Sequence, residues 1–169
     1  MKTLLILRHA KSSWDIPDIS DYERPLNDRG RTTAPYMGRL IADRGLVPEM
    51  IISSPARRAA DTAKLAAEAM GLKGEPAYDE RIYEASPQAL RQVAAEVDDT
   101  LESILLVGHN PGIEGFIRFL SGKDESVPTA ALAVLRLDID RWENIAQASA
   151  ALVELIRPKE EMRKAGKGN

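Results

Sequence analysis

Two stretches of the chain are uninterrupted apolar runs that stop abruptly. Leu4-Leu5-Ile6-Leu7 ends at Arg8-His9, and Ile104-Leu105-Leu106-Val107 ends at Gly108-His109. Runs this short, apolar on both faces, are the pattern of strands buried inside a parallel sheet. Met50-Ile51-Ile52 is a shorter strand ended by Ser53-Ser54-Pro55, and residues 76–78 form a brief one. Residues 129–139 and 150–156 read as two further strands, the last stopped by Pro158. Helical stretches lie between them. Asn27 or Asp28 caps a helix to about Arg44, with Gly45 as its stop and Pro35 inside it as a kinking residue. An alanine-rich helix runs from about Ala56 to Met70 and closes on Gly71. Ser86 caps another, with Pro87 at its first position, which continues to about Val97; Pro111 opens a fourth that ends near Ser121-Gly122.

Strand and helix alternate along the chain, which predicts an α/β fold: a three-layer sandwich with a mostly parallel central sheet flanked by helices. Residues 1–158 form one domain in this reading. Residues 159–169, almost without apolar side chains, read as a charged mobile tail. Residues 9–27 are polar and broken by Pro17 and Pro25, so they form a long loop, and loops of that length inside a compact domain usually carry function.

Composition narrows the chemistry. The chain has 169 residues, 44% hydrophobic and 29% charged, the profile of one ordinary globular domain. A net charge of −3 gives no broad basic footprint for nucleic acid. With no cysteine, disulfides, thiolate metal sites and a cysteine nucleophile are excluded, and two histidines leave too few ligands for a metal centre. No run has the length of a signal-peptide core or a membrane span, so the expectation is a cytoplasmic protein with no membrane partner.

Three clusters remain, each at the end of a predicted strand. In an open α/β sheet the carboxyl ends of the strands are where ligands bind. Arg8-His9-Ala10-Lys11-Ser12 joins a residue that can be nucleophile or base near neutrality to a guanidinium whose planar fork matches phosphate oxygens. The small Ala10 leaves room for a ligand to approach. Ser53-Ser54-Pro55-Ala56-Arg57-Arg58 marks a strand-to-helix turn; by itself it is a capping signal, and Arg57 or Arg58 adds a second guanidinium if turned toward the strand ends. In Gly108-His109-Asn110-Pro111-Gly112, Gly108 permits a sharp exit from the strand and Asn110 caps the next helix. A lone histidine in such a place is often only a satisfied, half-buried side chain. The three clusters together point to a phosphate-handling site.

The residues also carry a resemblance. Leu7-Arg8-His9-Ala10-Lys11-Ser12 resembles the Arg-His-Gly/Ala signature of the histidine phosphatase superfamily, the phosphoglycerate-mutase-like proteins. Ser54-Pro55-Ala56-Arg57-Arg58-Ala59-Ala60-Asp61-Thr62-Ala63 is similar to its second motif, and Val107-Gly108-His109-Asn110 to its third. Asp21-Tyr22-Glu23-Arg24-Pro25-Leu26, followed by Gly30, resembles the small SixA-like branch, the phosphohistidine phosphatases. The resemblance runs from residue 3 to about residue 122.

It implies a phosphoglycerate-mutase-like fold and a metal-independent, cofactor-free phosphatase. His9 matches the transiently phosphorylated histidine; Arg8 and Arg58 match the arginines that clamp the phosphoryl oxygens, and His109 matches the second histidine that holds them. Motif spacing selects Arg58 over Arg57. Arg24 matches a residue of the same pocket in the SixA-like branch. Asp79-Glu80-Arg81-Ile82-Tyr83 resembles the segment that carries the general acid in the mutases, which makes Glu80 the candidate acid; an exposed loop carboxylate fits it equally. Asp15 follows Trp14 where the mutases have asparagine.

In the implied mechanism neutral His9 keeps one ring nitrogen free while the other donates to a backbone carbonyl. Between Tyr83 and Ser103 there is room for one helix only, where larger relatives insert the helices that roof the site. An open site of that kind suits a phosphorylated side chain on a protein, so phosphohistidine in proteins is the expected substrate. A small-molecule phosphoester phosphatase, or a non-catalytic phosphate-binding module on the same fold, is the alternative. The sequence leaves the partner protein and the oligomeric state open.

Overall fold

The structure, a computed structural model, describes residues 1–167. Its elements follow the apolar pattern closely. Strand β1 (Lys2–Arg8) is followed by helix α1 (Asp28–Asp43), β2 (Met50–Ser53), α2 (Arg57–Met70), β3 (Ala77–Tyr78) and a single 3₁₀ turn at Glu80–Ile82. Then come α3 (Pro87–Ala95), β4 (Ser103–Gly108), α4 (Gly112–Ser121), β5 (Leu132–Leu137), a second 3₁₀ turn at Trp142–Asn144, β6 (Ala150–Ile156) and α5 (Pro158–Lys167).

The strands form one six-stranded sheet in the order β3-β2-β4-β1-β5-β6. The pairs from β3 to β1 are parallel, and β5 and β6 are antiparallel to their neighbours. Alternate residues of the two central strands enter two separate cores. Leu4, Ile6, Ile104 and Leu106 pack with Phe116, Ile117 and Leu120 of α4 and with Leu90 and Val93 of α3. Leu5, Leu7, Leu105 and Val107 pack with Met37 and Ile41 of α1 and with Ala59, Ala63 and Ala66 of α2. All eight strand residues are fully buried, as period-two strands covered on both faces must be. This is the three-layer α/β arrangement of the sequence reading.

The two central strands set the site. In their parallel register Arg8 lies opposite Gly108, and His9 N–H bonds to Gly108 O at 3.0 Å, so the next residues, His9 and His109, leave the sheet side by side. After α4 the chain returns along that same edge before entering β5, whose first residue, Leu132, pairs with Leu7. That return explains why β5 runs antiparallel, and it carries Val127 and Thr129 past the strand ends.

Several local readings change. Asn27 is the cap of α1, its side chain accepting from Gly30 N–H at 2.9 Å, and Pro35 sits within one continuous helix. Gly108 has no unusual backbone angle; its missing β-carbon instead leaves room for Ile82, whose Cγ2 lies 3.0 Å from where one would be. Ala10 is fully buried in the core under α1 and α2, so its small size serves packing. Residues 159–167, expected as part of a mobile tail, are helical and continue from Pro158. Their α5 carries Glu160 and Glu161 in its first turn, where carboxylates favour a helix, and Arg44 reaches Glu161 at 3.3 Å. Residues 168 and 169 of that expected tail lie outside the described residues. Among the described residues no helix is long and apolar enough to cross a membrane.

Candidate active site

His9 and His109 face each other with ring centroids 5.2 Å apart. They line a cavity of about 280 Å³ together with Arg8, Arg24, Arg58 and Thr129. Two strand ends, the 9–27 loop, the start of α2 and the turn before β5 each contribute to it.

His9 Nδ1 lies 2.8 Å from Ala10 O. A carbonyl only accepts, so Nδ1 carries the proton and the lone pair is on Nε2. Ala10 is itself held: its N–H donates to Thr62 Oγ1 at 2.9 Å, and that hydroxyl donates to Arg58 O at 2.7 Å. Thr62 therefore ties the nucleophile candidate to the helix that carries Arg58. Burial, followed by the neighbouring His109 and arginines, lowers the His9 pKa to about 3, against the stabilising pull of Ala10 O. Burial and Arg58 lower His109 to about 4. Both rings are neutral near pH 7.

The arginines are built in. Arg8 donates to Val127 O at 3.1 Å, a carbonyl that also receives Asn110 Nδ2 at 2.9 Å. Arg58 is buried, whereas Arg57 points outward and reaches Asp61 at 3.8 Å. Arg24 is buried beneath the exposed ring of Trp14, with its guanidinium carbon 3.6 Å from the ring centre, and it donates to Ser12 and, at 3.1 Å, to Asp21. Stacking of this kind holds a guanidinium flat while leaving its edge free.

Three residues with no assigned role in the sequence reading support this group. Asp21 accepts from Arg24 and Arg58, each at 3.1 Å, and from Tyr83 Oη at 2.7 Å. The Tyr83 bond, and then the two arginines, hold its pKa down to about 2, and the same bond pushes Tyr83 up to about 12. Tyr83 in turn stands edge-on to His109 at 5.6 Å. The Ser54 hydroxyl lies 2.8 Å from His109 Nε2. If Ser54 donates, His109 Nδ1 keeps its hydrogen for an incoming acceptor. The sequence signal for Asp21 is its place three residues before Arg24.

Glu80 is placed apart. It lines neither this cavity nor the adjoining one of about 310 Å³ beside Tyr83. Its carboxylate accepts from Tyr22 Oη at 3.0 Å, and the Tyr22 ring meets Tyr83 edge-on at 5.1 Å. Glu80 is thus linked to the site through Tyr22 and Tyr83. Asn110 does not take the first capping position of α4, which belongs to Pro111; its Oδ1 accepts from Glu114 N–H at 3.3 Å.

One feature defines what the cavity can hold. Among the described residues the buried side-chain nitrogens without a partner are Nε of Arg8, Arg24 and Arg58 and Nδ1 of His109. All four residues line the cavity around His9. Buried donors are almost always satisfied in folded proteins, so this concentration of three guanidinium donors and a neutral imidazole N–H marks a receptor for an oxyanion. No group of side chains among the described residues has the composition of a metal site.

Comparison with known proteins agrees with this chemistry. Residues 4–103 match the family model described as histidine phosphatase superfamily (branch 1). An uncharacterised protein of Mycobacterium tuberculosis is 31% identical over 165 residues, covering 90% of this chain and all of the relative. A crystal structure assigned as a phosphohistidine phosphatase SixA from Agrobacterium tumefaciens is 31% identical, covers 93% of this chain and 98% of its own, and superposes with a TM-score of 0.77. The protein histidine phosphatase SixA complexed with tungstate superposes at 0.82 over 94% of this chain and 99% of its own; at 20% identity it speaks for the fold alone.

Proposed function

The chain belongs to the histidine phosphatase superfamily, in its SixA-like branch, and is a phosphatase; from that premise we propose that it removes the phosphoryl group from phosphohistidine in proteins through a covalent intermediate on His9. The observation that carries the chemistry is the group of partnerless donors on Arg8, Arg24, Arg58 and His109 around a histidine whose Nε2 lone pair is free.

In the first step His9 Nε2 attacks phosphorus in line, the new N–P bond forms as the substrate N–P bond breaks, and the substrate ring, already protonated on its other nitrogen, takes the bonding pair and leaves as neutral imidazole. Arg8, Arg58 and His109 donate to the equatorial oxygens, where charge builds up in phosphoryl transfer. Water then attacks the phosphohistidine, inorganic phosphate leaves, and His9 returns neutral. An imidazole leaving group titrates near neutrality and needs little help from an acid. That agrees with Glu80 not being among the residues that line the cavity. The phosphoryl charge is met by guanidinium groups, so no step calls for a metal.

Support for a protein-borne substrate comes from the short connection between Tyr83 and Ser103, which holds the single helix α3 and leaves the cavity without a roof of inserted helices. The test compares a panel of phosphohistidine peptides with small phosphoesters, each with and without chelator. Higher kcat/KM on the peptides, unchanged by chelator, is expected. Efficient turnover of small esters alone would assign the enzyme to small molecules.

A further inference from the structure

The cavity around His9 has a larger neighbour. A space of about 430 Å³ lies beside it, between the first half of α1 and α5, and the two cavities share Lys11 and Thr129. Pro128, Ala130, Pro158 and Met162 give it an apolar lining. Its rim is cationic. Lys11, Arg29, Lys159 and Arg163 border it, and none of the four has an ion-pair partner among the described residues. Arg157, also on the rim, is held by Ser126 O and Glu125. Among the described residues Glu160 is the one carboxylate bordering the space. On a chain of net charge −3 this is a local reversal of sign.

We propose that this groove docks an acidic segment of the substrate polypeptide, next to its phosphorylated residue, while the phosphoryl group sits at His9; the proposal rests on the protein-substrate reading above. Three features favour a polypeptide over a single small anion. The free cations stand on separate walls, Arg29 on α1 and Lys159 and Arg163 one turn apart on α5, with Lys11 at the junction to the catalytic cavity. That spread matches a row of carboxylates better than one phosphate, which a close pair of cations would grip. The apolar lining can take the aliphatic parts of such a segment, as the cores of docking sites do. The junction at Lys11 and Thr129 makes the two sites continuous, so a bound chain can span them.

The experiment uses two phosphohistidine peptides matched in length, one with Asp and Glu flanking the phosphorylated residue and one with Ser and Gln. Wild type should favour the acidic peptide by roughly tenfold in kcat/KM, through KM, as a few exposed charge pairs would give. That preference should shrink as salt is added. In the variant Arg29→Glu/Lys159→Glu/Arg163→Glu the preference should vanish, while turnover of a small aryl phosphate stays at the wild-type value. No preference in wild type, or one that survives in the variant or in high salt, overturns the proposal. Binding of the unphosphorylated acidic peptide, followed by fluorescence anisotropy, separates this proposal from the substrate reading. If no phosphohistidine peptide is hydrolysed, binding to wild type and not to the variant still upholds the groove. Binding of inorganic triphosphate in place of the peptide overturns it in favour of a small-anion site.

Discussion

Arg58 holds Asp21 at two points, donating to its backbone carbonyl at 2.8 Å and to its carboxylate at 3.1 Å. The carboxylate also meets Arg24. Two arginines placed for an incoming oxyanion are thus already in contact with a negative group from the 9–27 loop. Asp21 orients them and at the same time competes with what they are to bind.

Removing that charge separates the two effects. Asp21→Asn keeps an oxygen for Tyr83 or Arg58 but removes the repulsion between carboxylate and phosphate. Inorganic phosphate should inhibit the variant at a concentration about 3- to 10-fold lower than wild type, the scale of one screened like-charge contact. Weaker inhibition would mean that orientation of the arginines outweighs repulsion.

His9→Ala should lower turnover by at least about 10³-fold, as loss of a nucleophile does. The direct check is acid-labile phosphate on the protein after rapid quench with labelled substrate. Wild type should carry label and the variant none; label persisting in the variant would transfer the nucleophile's role elsewhere.

The histidines also set a pH dependence. His9 at about 3 and His109 at about 4 lie below the value of about 6.5 that they take in an unfolded chain. Between those limits the unfolded state binds more protons, so stability rises with pH there. The contribution is complete above about pH 6.5 and declines as pH falls toward 4 and then 3. Urea melts at pH 7.5 and pH 5 should show a lower midpoint at pH 5. Because the chain has only two histidines, their ring proton resonances report the cause directly. Neither should titrate between pH 5.5 and 8 in the free enzyme, and inorganic phosphate should raise both pKa values by adding negative charge beside them.

Glu80 is tested by leaving group. If it protonates one, Glu80→Gln should slow aryl or alkyl phosphoester hydrolysis by roughly 10²- to 10⁴-fold, and phosphohistidine hydrolysis far less. Equal losses on both substrates would point to another task, such as positioning water. An unchanged rate on both would leave Glu80 as the acceptor for Tyr22.

Gly30→Ala probes how the loop is seated. A β-carbon at Gly30 would overlap Lys11 O, so the first turn of α1 and the chain after His9 must separate. The variant should lose about 1–3 kcal/mol in urea unfolding, the usual cost of overpacking, and turnover should fall with it. Wild-type stability would show that the contact relaxes freely.

Local choices are written in the chain. Leu4 to Leu7 and Ile104 to Val107 had to be buried strands, because runs apolar on both faces can be covered only from both sides. Gly71 and Ser86 had to end and begin helices, because αL geometry and an N-cap acceptor are properties of single residues. The motifs at His9, Arg58 and His109 were legible for the same reason: each is continuous in the chain. The tertiary structure decided whatever depends on residues far apart in sequence. The direction of β5 follows from where the chain emerges after α4, which no local pattern encodes. Asp21 reads as an ordinary loop residue until the fold brings Arg58 and Tyr83, 37 and 62 positions away, onto its carboxylate. Residues 159–167 look like a solvated tail until the fold brings Arg44 within reach of Glu161 on α5. Charge and capping act within a turn of chain, whereas pairing and burial act through space, and only the folded chain specifies which distant residues share that space.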